Sequence, residues 1–423
     1  MRKAHGKNTV RYYLLIIIAL AFLFFTGDFG LIDVQKTAIV MAVGIDREEE
    51  TFIVTSQIAI PQSSKQGQAS ETVQLVSRGK TVADAFEEIN AKTGWYPKLV
   101  FCKLIILGEK AVEQDAFDAL DFFLLDEYMS DNCLIATCDG LAKDMLNVAA
   151  LVDPSGSVAM QKVLSPHAER VGTVLPSTLR EFAIGYFSDG KSSYLPLLKT
   201  QPQQEQVSGS QQQSGSSDSS GSSESSSASS SSESSSGSSG SGGSSGSGGG
   251  QSNDKPVFSA SETALFVGGK RVEKLTQEET FAFNAVKKEL RLAAYSVETE
   301  DATCTLTVKR NTPRTKFKVG KDGRATLKIE LVMAAGLLDY SKSLPVQEGA
   351  DVGDVPSGAF TAAEKRLSGQ IKTTFEKCRA CGCDLFGIEE QLQKYAHRRY
   401  EELKDTALKN SIADVTVKFR NVR

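Results

Sequence analysis

The stretch KTAIVMAVGID, Lys36–Asp46, is a nearly continuous apolar run, and TFIVTSQIAIP, Thr51–Pro61, follows it closely. The length of the first run and its branched side chains are typical of a buried strand. In the second run the apolar residues alternate, so they share one face of a strand: Phe52, Val54, Ile58 and Ile60. Since only the charged residues 47–50 separate the runs, the sequence predicts two antiparallel strands.

The residues that follow alternate between helix and strand patterns. Thr81 and Asp84 have the spacing of a helix cap. The next patterns predict a helix after this cap, a buried strand over 98–109, a helix over about 116–125 and a strand over 132–138. The order β-β-α-β-α-β predicts a mixed α/β region over residues 33–200.

The composition changes abruptly over residues 201–256, which are almost entirely Ser, Gly and Gln. Such a segment buries too little apolar surface to offset its ordering entropy, so we predict a disordered linker. A Gly/Ser coil of this length has a root-mean-square reach of roughly 40 Å. The sequence therefore predicts two folded regions joined by a tether over which the second region moves.

After the linker, residues 257–423 read as an α+β domain, and the overall fold class is α/β to α+β mixed. A hairpin is expected to turn at Gly268–Gly269, and capping boxes are expected at Thr276–Glu279 and Thr361–Glu364. The first box opens a helix to about Leu292. The second opens a long helix with an apolar stripe of Leu367, Ile371, Phe375 and Cys378. Strands are predicted over 303–310, 315–320, 324–336 and 413–421, and a further helix from about Ile388.

The N-terminus has the pattern of an export segment. Four basic residues precede the uncharged apolar run Tyr12–Phe25. A bacterial lipoprotein carries its lipid-bearing cysteine just after such a run, but Asp28 stands here and the first cysteine is Cys102. No small-x-small cleavage site is present either. We therefore predict an uncleaved signal anchor within residues 1–32 and a membrane protein with an exterior body, with cleavage at an atypical site as the alternative.

The charge balance excludes one class of function. The formal net charge is −4 and the sequence pI is near 5.7. A nucleic-acid-binding protein usually shows a basic domain or stripe, so no nucleic-acid partner is expected.

The seven cysteines have two interpretations, core residues or reactive groups. Cys133 and Cys138 lie on opposite faces of one strand and cannot bridge each other there, whereas Cys102 is able to reach one of them. Burial in the core is favoured, because Cys is among the most buried residue types.

The cluster Cys378, Cys381 and Cys383 has metal-like spacing, with His397 as a possible fourth ligand. A single C-x-x-C lacks the second pair of a strong zinc motif, so packing or a local disulfide is the favoured interpretation. Outside the low-complexity tract, the sequence contains no metalloprotease, nucleophile-elbow or phosphate-loop motif and no convincing dinucleotide motif. The sequence therefore predicts no catalytic, cofactor-binding or metal-binding residue, and no cofactor.

Several ordered stretches together resemble one family, the C subunit of spore nutrient-germinant receptors, Ger(x)C. The similarity lies in KTAIVMAVGID, GKTVADAFEEIN, LVFCKLIILGEKAV and STLREFAIGYFSDGKSSYLPLL, and after the linker in ETALFVGGKRVEKLTQEET and FEKCRACGCDLFGIEE. The resemblance implies a non-enzymatic extracytoplasmic protein of three α/β subdomains, two of them before the linker. It also implies a place on the outer face of the spore inner membrane beside an A-type and a B-type integral membrane subunit.

The sequence departs from the family pattern at three places. Asp28 occupies the position of the family's lipid-bearing cysteine, LLDEYMSDN (residues 124–132) lacks an arginine that the family usually has, and the linker is unusually long. Gly44, Ile45 and Asp46, with Gly108 and Glu109, match the pattern. Turns at strand ends explain Gly and Asp there, so a structural role is expected.

Two other functions stay open at the level of sequence. One is a cell-surface hydrolase whose site residues meet only in the fold, in a cleft with perturbed carboxylates or a cysteine-histidine pair. The other is a surface interaction module unrelated to sporulation. The sequence does not identify a nutrient ligand.

Overall fold

The computed structural model describes residues 11–20, 37–59, 72–149, 153, 155–165, 171–202, 256–287, 289–299, 302–341, 355–356 and 358–422. Asp28 and residues 203–255 lie outside the described residues, so the predictions made for them stay predictions.

The fold is a mixed α/β structure built on two sheets. The strands are β1 (Thr37–Glu48), β2 (Thr51–Ala59), β3 (Thr72–Gly79), β4 (Tyr96–Lys98), β5 (Leu104–Leu107), β6 (Leu134–Cys138), β7 (Ser177–Thr178), β8 (Ser192–Gln201), β9 (Val257–Val267), β10 (Lys270–Leu275), β11 (Ala293–Glu298), β12 (Thr303–Val319), β13 (Ala325–Tyr340) and β14 (Ile412–Asn421). The helices are α1 (Val82–Thr93), α2 (Asp121–Leu125), α3 (Ala142–Leu146), α4 (Gly156–Val163), α5 (Leu179–Phe187), α6 (Gln277–Lys287), α7 (Ala359–Cys381), α8 (Ile388–Tyr395) and α9 (Tyr400–Ala407). Residues 11–20 are also helical.

The larger sheet has the strand order β10-β9-β8-β6-β5-β1-β2-β3, with β4 beside β1 and β7 beside β6. Its centre is parallel, because β1, β5, β6 and β8 run in one direction, and β4 shares that direction. The predicted antiparallel pair is confirmed, with Ile45 opposite Val54. Helices cover both faces of this sheet, so its central strands are buried throughout.

The second sheet, in the order β11-β12-β13-β14, belongs to the C-terminal region. Helix α7 packs on it with the predicted stripe of Leu367, Ile371 and Phe375 in the core. The alternation predicted for the last strand is also confirmed, since Val415, Val417 and Phe419 are buried.

The first strands after the linker belong to the larger sheet, an arrangement that the sequence did not predict. Strand β9 pairs with β8 from Ser192 opposite Val267 to Gln201 opposite Val257. The hairpin of β9 and β10 therefore completes the sheet begun by residues 37–201. Residues 202–256 therefore join two adjacent strands, and β9 pairs with β8 on one side and with β10 on the other.

A buried cluster joins the two sheets. It contains Tyr194 of β8, Leu265 of β9, Phe283 of α6 and the α7 residues Cys378 and, just beyond, Cys383. These side chains come from both sides of the linker, and burying apolar surface between them stabilises the joined arrangement.

Several predicted helix ends are confirmed by their caps. Thr81 and Asp84 form both hydrogen bonds of a capping box at α1, and Thr276 and Glu279 do the same at α6. The box predicted at Thr361–Glu364 is wrong, since α7 begins at Ala359. Glu364 Oε1 instead accepts a hydrogen bond from the backbone N–H of Phe419, 2.8 Å away, which ties α7 to β14.

Asn311 explains two further differences. The strands predicted over 303–310 and 315–320 are one strand, β12, and α6 ends at Lys287 rather than near Leu292. The Asn311 side chain accepts from the N–H of Leu290 and donates to the carbonyl oxygen of Ala285, both at 2.6 Å. Asn311, which lies in the gap between the two predicted strands, thus holds the single strand against the end of the helix.

The helix predicted over 116–125 is instead a 3-10 turn, Ala116–Ala119, followed by α2.

Candidate functional site: the carboxyl edge of the parallel strands

The residues that match the family pattern meet at the carboxyl edge of the larger sheet. Asp46, near the end of β1, is 3% exposed. Its Oδ1 accepts a hydrogen bond from the N–H of Ala142 at 2.7 Å, and its Oδ2 accepts one from Lys143 at 3.1 Å. The first N–H groups of a helix have no partner within it. Asp46 supplies that partner from β1 and therefore caps α3.

Gly44 and Gly108 allow this close approach. A Cβ atom on Gly108 would lie 2.0 Å from Asp46 Oδ1, and one on Gly44 would lie 3.0 Å from Leu146 Cδ1 of α3. The N–H of Gly108 also donates to the carbonyl oxygen of Ile45 at 2.8 Å. Lack of space, rather than an unusual φ, therefore favours glycine at both positions, and most strongly at Gly108.

Two opposing effects act on Asp46. Burial raises its pKa, while the hydrogen bonds from Ala142 and Lys143 lower it, and burial is the larger effect, so the net pKa is raised. Both carboxylate oxygens are occupied by backbone donors. The group is therefore a structural cap, as the turn interpretation of these residues predicted.

Glu109 anchors the hairpin that follows the linker. Its Oε1 accepts from Arg271 of β10 at 3.1 Å, and Arg271 also donates to Asp139 Oδ1 at 3.2 Å. Glu109 Oε2 accepts from the N–H of Gly140 at 3.3 Å. One arginine side chain, 22% exposed, thus joins two loops of the first region to the hairpin.

The cysteines predicted to be core residues are in the core. Cys102, Cys133 and Cys138 are at most 2% exposed, and all seven cysteines are free thiols. The Cys102 thiol lies close enough to Cys133 to raise the pKa of the Cys133 thiol, so the predicted proximity of Cys102 to one of the other two is confirmed. Burial adds to this increase.

The spacing of CRACGC follows from the end of α7. Gly382 has φ 76°, the N–H of Cys383 donates to the carbonyl oxygen of Cys378 at 2.9 Å, and that of Gly382 donates to Arg379. These are the bonds of a Schellman cap, in which the residue after glycine packs against the residue five positions earlier. Cys378 and Cys383 do so in the buried cluster between the sheets, and burial raises the pKa of Cys383 to about 12.

Among the described residues, no group of three or more His, Cys, Asp or Glu side chains has the arrangement of a metal site. His397 lies in a 3-10 turn before α9. The packing interpretation of CRACGC is thus supported by its own geometry.

A groove of about 700 Å³ contains two carboxyl groups with a raised pKa that the sequence did not point to. Its lining includes Phe187 of α5, Phe283 of α6, Asp384 and Glu389. Asp384 accepts from the N–H groups of Ile388 and Glu389, both at 2.7 Å, and so caps α8. Burial, together with the nearby carboxylates of Asp384 and Asp189, raises the pKa of Glu389 to about 7.

The hydrolase alternative requires a cleft with carboxyl groups of shifted pKa, and this groove has such groups. Asp384 is occupied by backbone donors, and Asp189 Oδ2 accepts from the hydroxyl of Tyr400 at 2.7 Å. Asp384 and Asp189 thus bind groups of the protein itself, and Glu389 is the carboxyl group beside them whose pKa is near neutral. No sequence motif points to these residues, because the chain segments that carry them lie about 200 residues apart.

The N-terminal helical residues 11–20 differ from every other helix described here. All ten side chains are exposed, including the apolar ones from Tyr12 to Leu20. Within the described ranges, the helices fall short of the length and apolarity that a bilayer crossing requires.

Two family models match the chain. The spore germination protein N-terminal domain matches residues 31–200, and the spore germination B3/GerAC-like C-terminal domain matches residues 261–422. A solved structure, "Crystal Structure of the GerBC protein", is similar with a TM-score of 0.50 and 13% identity, over 90% of this chain and 97% of that chain. That identity supports a common fold alone. Comparison with curated proteins gives no match. The two models together cover more than three quarters of the sequence, and the chain therefore belongs to the Ger(x)C family of spore germination proteins, the C subunits of germinant receptors.

Proposed function

We propose that this chain is a membrane-anchored, extracytoplasmic and non-enzymatic subunit of a nutrient germinant receptor. It acts in spore germination through contacts with an A-type and a B-type integral membrane subunit, at the outer face of the spore inner membrane. Membership of the germinant-receptor C-subunit family carries this proposal, since both family models match in their expected order along one chain.

The anchor is proposed from the N-terminal helix. Its large apolar side chains are each more than half exposed, and basic residues precede the apolar run in the sequence. Exposed apolar surface of this kind is stable in lipid and unfavourable in water. With Asp28 in place of a lipid-bearing cysteine, the apolar run Tyr12–Phe25 itself is the membrane attachment.

The non-enzymatic role is supported by what the buried carboxylates do. Asp46 and Asp384 each accept two backbone hydrogen bonds at the start of a helix, so both carboxylates have a structural role. Glu389 is the titratable exception. We expect Glu389→Gln to leave the germinant response of spores unchanged, whereas a hydrolase that uses Glu389 would lose it.

The test of the partners is co-purification from spore membranes. A C-terminally tagged chain, extracted in mild detergent, is expected to bring down the A-type and B-type subunits in constant ratio. Intact mass spectrometry of the same sample is expected to show residues 1–27 retained without lipid. A chain that extracts alone would contradict the receptor assembly, and a shortened mass would contradict the anchor.

A further inference from the structure

The amino edge of the larger sheet carries a group of exposed apolar and aromatic side chains. Between 43% and 80% of each side chain's surface is accessible. We call these residues the amino-edge patch: Trp95, Tyr96, Val100, Phe101, Leu125 and Tyr128. Isolated exposed apolar residues are ordinary, but a contiguous patch with several aromatic rings indicates an interaction surface.

Strand topology places these residues together. Parallel strands begin at the same edge of a sheet, and β1, β4, β5 and β6 are parallel. Tyr96 begins β4, and the turn Leu99–Cys102, closed by a 2.8 Å backbone hydrogen bond, presents Val100 and Phe101 just before β5. The loop with Leu125 and Tyr128 precedes β6, and Lys98 Nζ lies 4.7 Å from the centre of the Tyr128 ring.

The chain arrives from its N-terminal segment at this same edge. Thr37, the first residue of β1, pairs with Tyr96. Eleven residues, 26–36, separate Thr37 from the apolar run that ends at Phe25. Fully extended, they reach at most about 40 Å. The amino edge is the edge at which the chain enters the sheet from the anchor, and the carboxyl edge at Asp46 is about 30 Å further along β1.

The side-chain chemistry of the patch selects its occupant. Trp and Tyr are enriched where a bilayer meets water, because their rings have an apolar body and a polar group. Lys98, whose Nζ lies over the Tyr128 ring, is balanced by Asp126 and Glu127, which directly precede Tyr128 in the sequence. The attraction is therefore apolar, and it does not depend on salt.

We propose that the amino-edge patch inserts into the headgroup region of the lipid bilayer, so that the parallel strands stand upright on the membrane. This inference rests on the proposed membrane anchor. It fixes an orientation: the carboxyl edge, with Asp46 and both ends of residues 202–256, points away from the bilayer. A second contact near the anchor converts a flexible attachment into an oriented one.

The chain contains one tryptophan, Trp95, so its fluorescence reports directly on the patch. The full chain is reconstituted into phosphatidylcholine vesicles and separated by flotation. Trp95 emission is then measured with acyl-chain-brominated lipid and, separately, with aqueous iodide. We expect brominated lipid to quench at least half of the emission, iodide to quench it several-fold less than in the unfolded chain, and both results to be unchanged by 0.5 M NaCl.

A matched pair of variants tests the patch itself. Phe101→Glu with Leu125→Glu is expected to float as before but to lose most of the quenching by brominated lipid. Leu338→Glu, at a comparably exposed position in β13, is expected to change neither result. If the double variant unfolds by circular dichroism, the two quenchers on the unmodified chain still decide the question.

The outcomes separate the two proposals. A chain that floats while Trp95 stays open to iodide and unaffected by brominated lipid keeps the anchor and overturns the patch inference. Trp95 shielded from both quenchers overturns it in favour of a protein contact. A chain that does not float overturns the anchor and the inference together.

Discussion

Gln201 and Val257 are antiparallel neighbours at the ends of β8 and β9, although 55 residues of sequence lie between them. The Ser- and Gly-rich segment therefore leaves the sheet and returns to it at one place. Its length does not set the distance between the two sheets, because strand pairing and the buried cluster around Tyr194 and Phe283 do so.

Replacing residues 203–255 by a four-residue turn should preserve the fold. The strand ends are already adjacent, so a shorter connection lowers the entropy lost on closing the loop. The expected gain in the free energy of unfolding is about 2 kcal/mol. Urea unfolding monitored by circular dichroism measures it. A scrambled Ser/Gly segment of the original length is the control and is expected to leave stability unchanged, whereas loss of the native fold in the shortened chain would contradict the pairing of β8 with β9.

Asp46→Ala should destabilise the chain by about 2–3 kcal/mol. The substitution removes the cap of α3 and leaves the N–H groups of Ala142 and Lys143 without their acceptor in a buried place. Urea unfolding at pH 7 checks this value. Asp144→Ala, an exposed residue of the same helix, is the control, with an expected change within about 0.5 kcal/mol. Equal effects of the two substitutions would show that Asp46 does not act as a cap.

Local patterns predicted well where a residue's neighbours in sequence are also its neighbours in space. The caps at Thr81 and Thr276 and the stripe of Leu367 and Ile371 depend on residues within one or two turns, and they are confirmed. The hairpin turn predicted at Gly268–Gly269 is also confirmed, since both glycines have positive φ between β9 and β10.

Contacts between distant residues were not predictable in this way. Asn311 lies between two predicted strands and Glu364 in a predicted capping box, yet each satisfies a backbone group of another element. Low complexity over 201–256 indicates a boundary between domains, but composition carries no information about which strands pair across it. The partners of Glu109 and Glu389 were missed for the same reason.

Arg271→Ala should cost about 1 kcal/mol, because it breaks the link from Glu109 and Asp139 to the post-linker hairpin. The partly buried arginine is screened less by salt than an exposed one. Arg78→Ala, which removes an ion pair to Glu48 in which both side chains are more than half exposed, is expected to cost less than about 0.5 kcal/mol. Thermal unfolding of both variants in low and in 0.5 M salt makes the comparison, and a larger loss at Arg78 would refute it.

Thiol labelling should distinguish one cysteine from the other six. Cys381 is partly exposed, while the remaining cysteines are buried and burial raises the pKa of Cys383 to about 12. Since the thiolate is the nucleophile, native protein at pH 7.5 is expected to take up at most one iodoacetamide, at Cys381, within an hour. Denatured, unreduced protein is expected to take up seven. Fewer than seven after denaturation would mean that disulfides are present.

Glu389→Gln should raise stability above neutral pH. The pKa of Glu389 is about 7 in the folded chain and near 4.5 as an ordinary glutamate. Between these values the folded chain binds more protons than the unfolded chain, so this residue makes stability fall as pH rises from about 4.5 to 7. The shift corresponds to about 3 kcal/mol, which partial exposure of the side chain reduces to roughly 1–2 kcal/mol at pH 8.

The measurement is thermal unfolding of the unmodified chain and of Glu389→Gln between pH 5 and pH 8, with Glu390→Gln as the control on the same helix. The unmodified chain and the control are expected to lose stability together as pH rises. The Glu389→Gln curve is expected to be flatter and to separate from both above pH 6. Asp384, Asp189 and Asp405 all raise the pKa of Glu389 through charge repulsion. Three parallel curves would mean that water screens these carboxylates, so that their repulsion does not lower the stability of the folded chain.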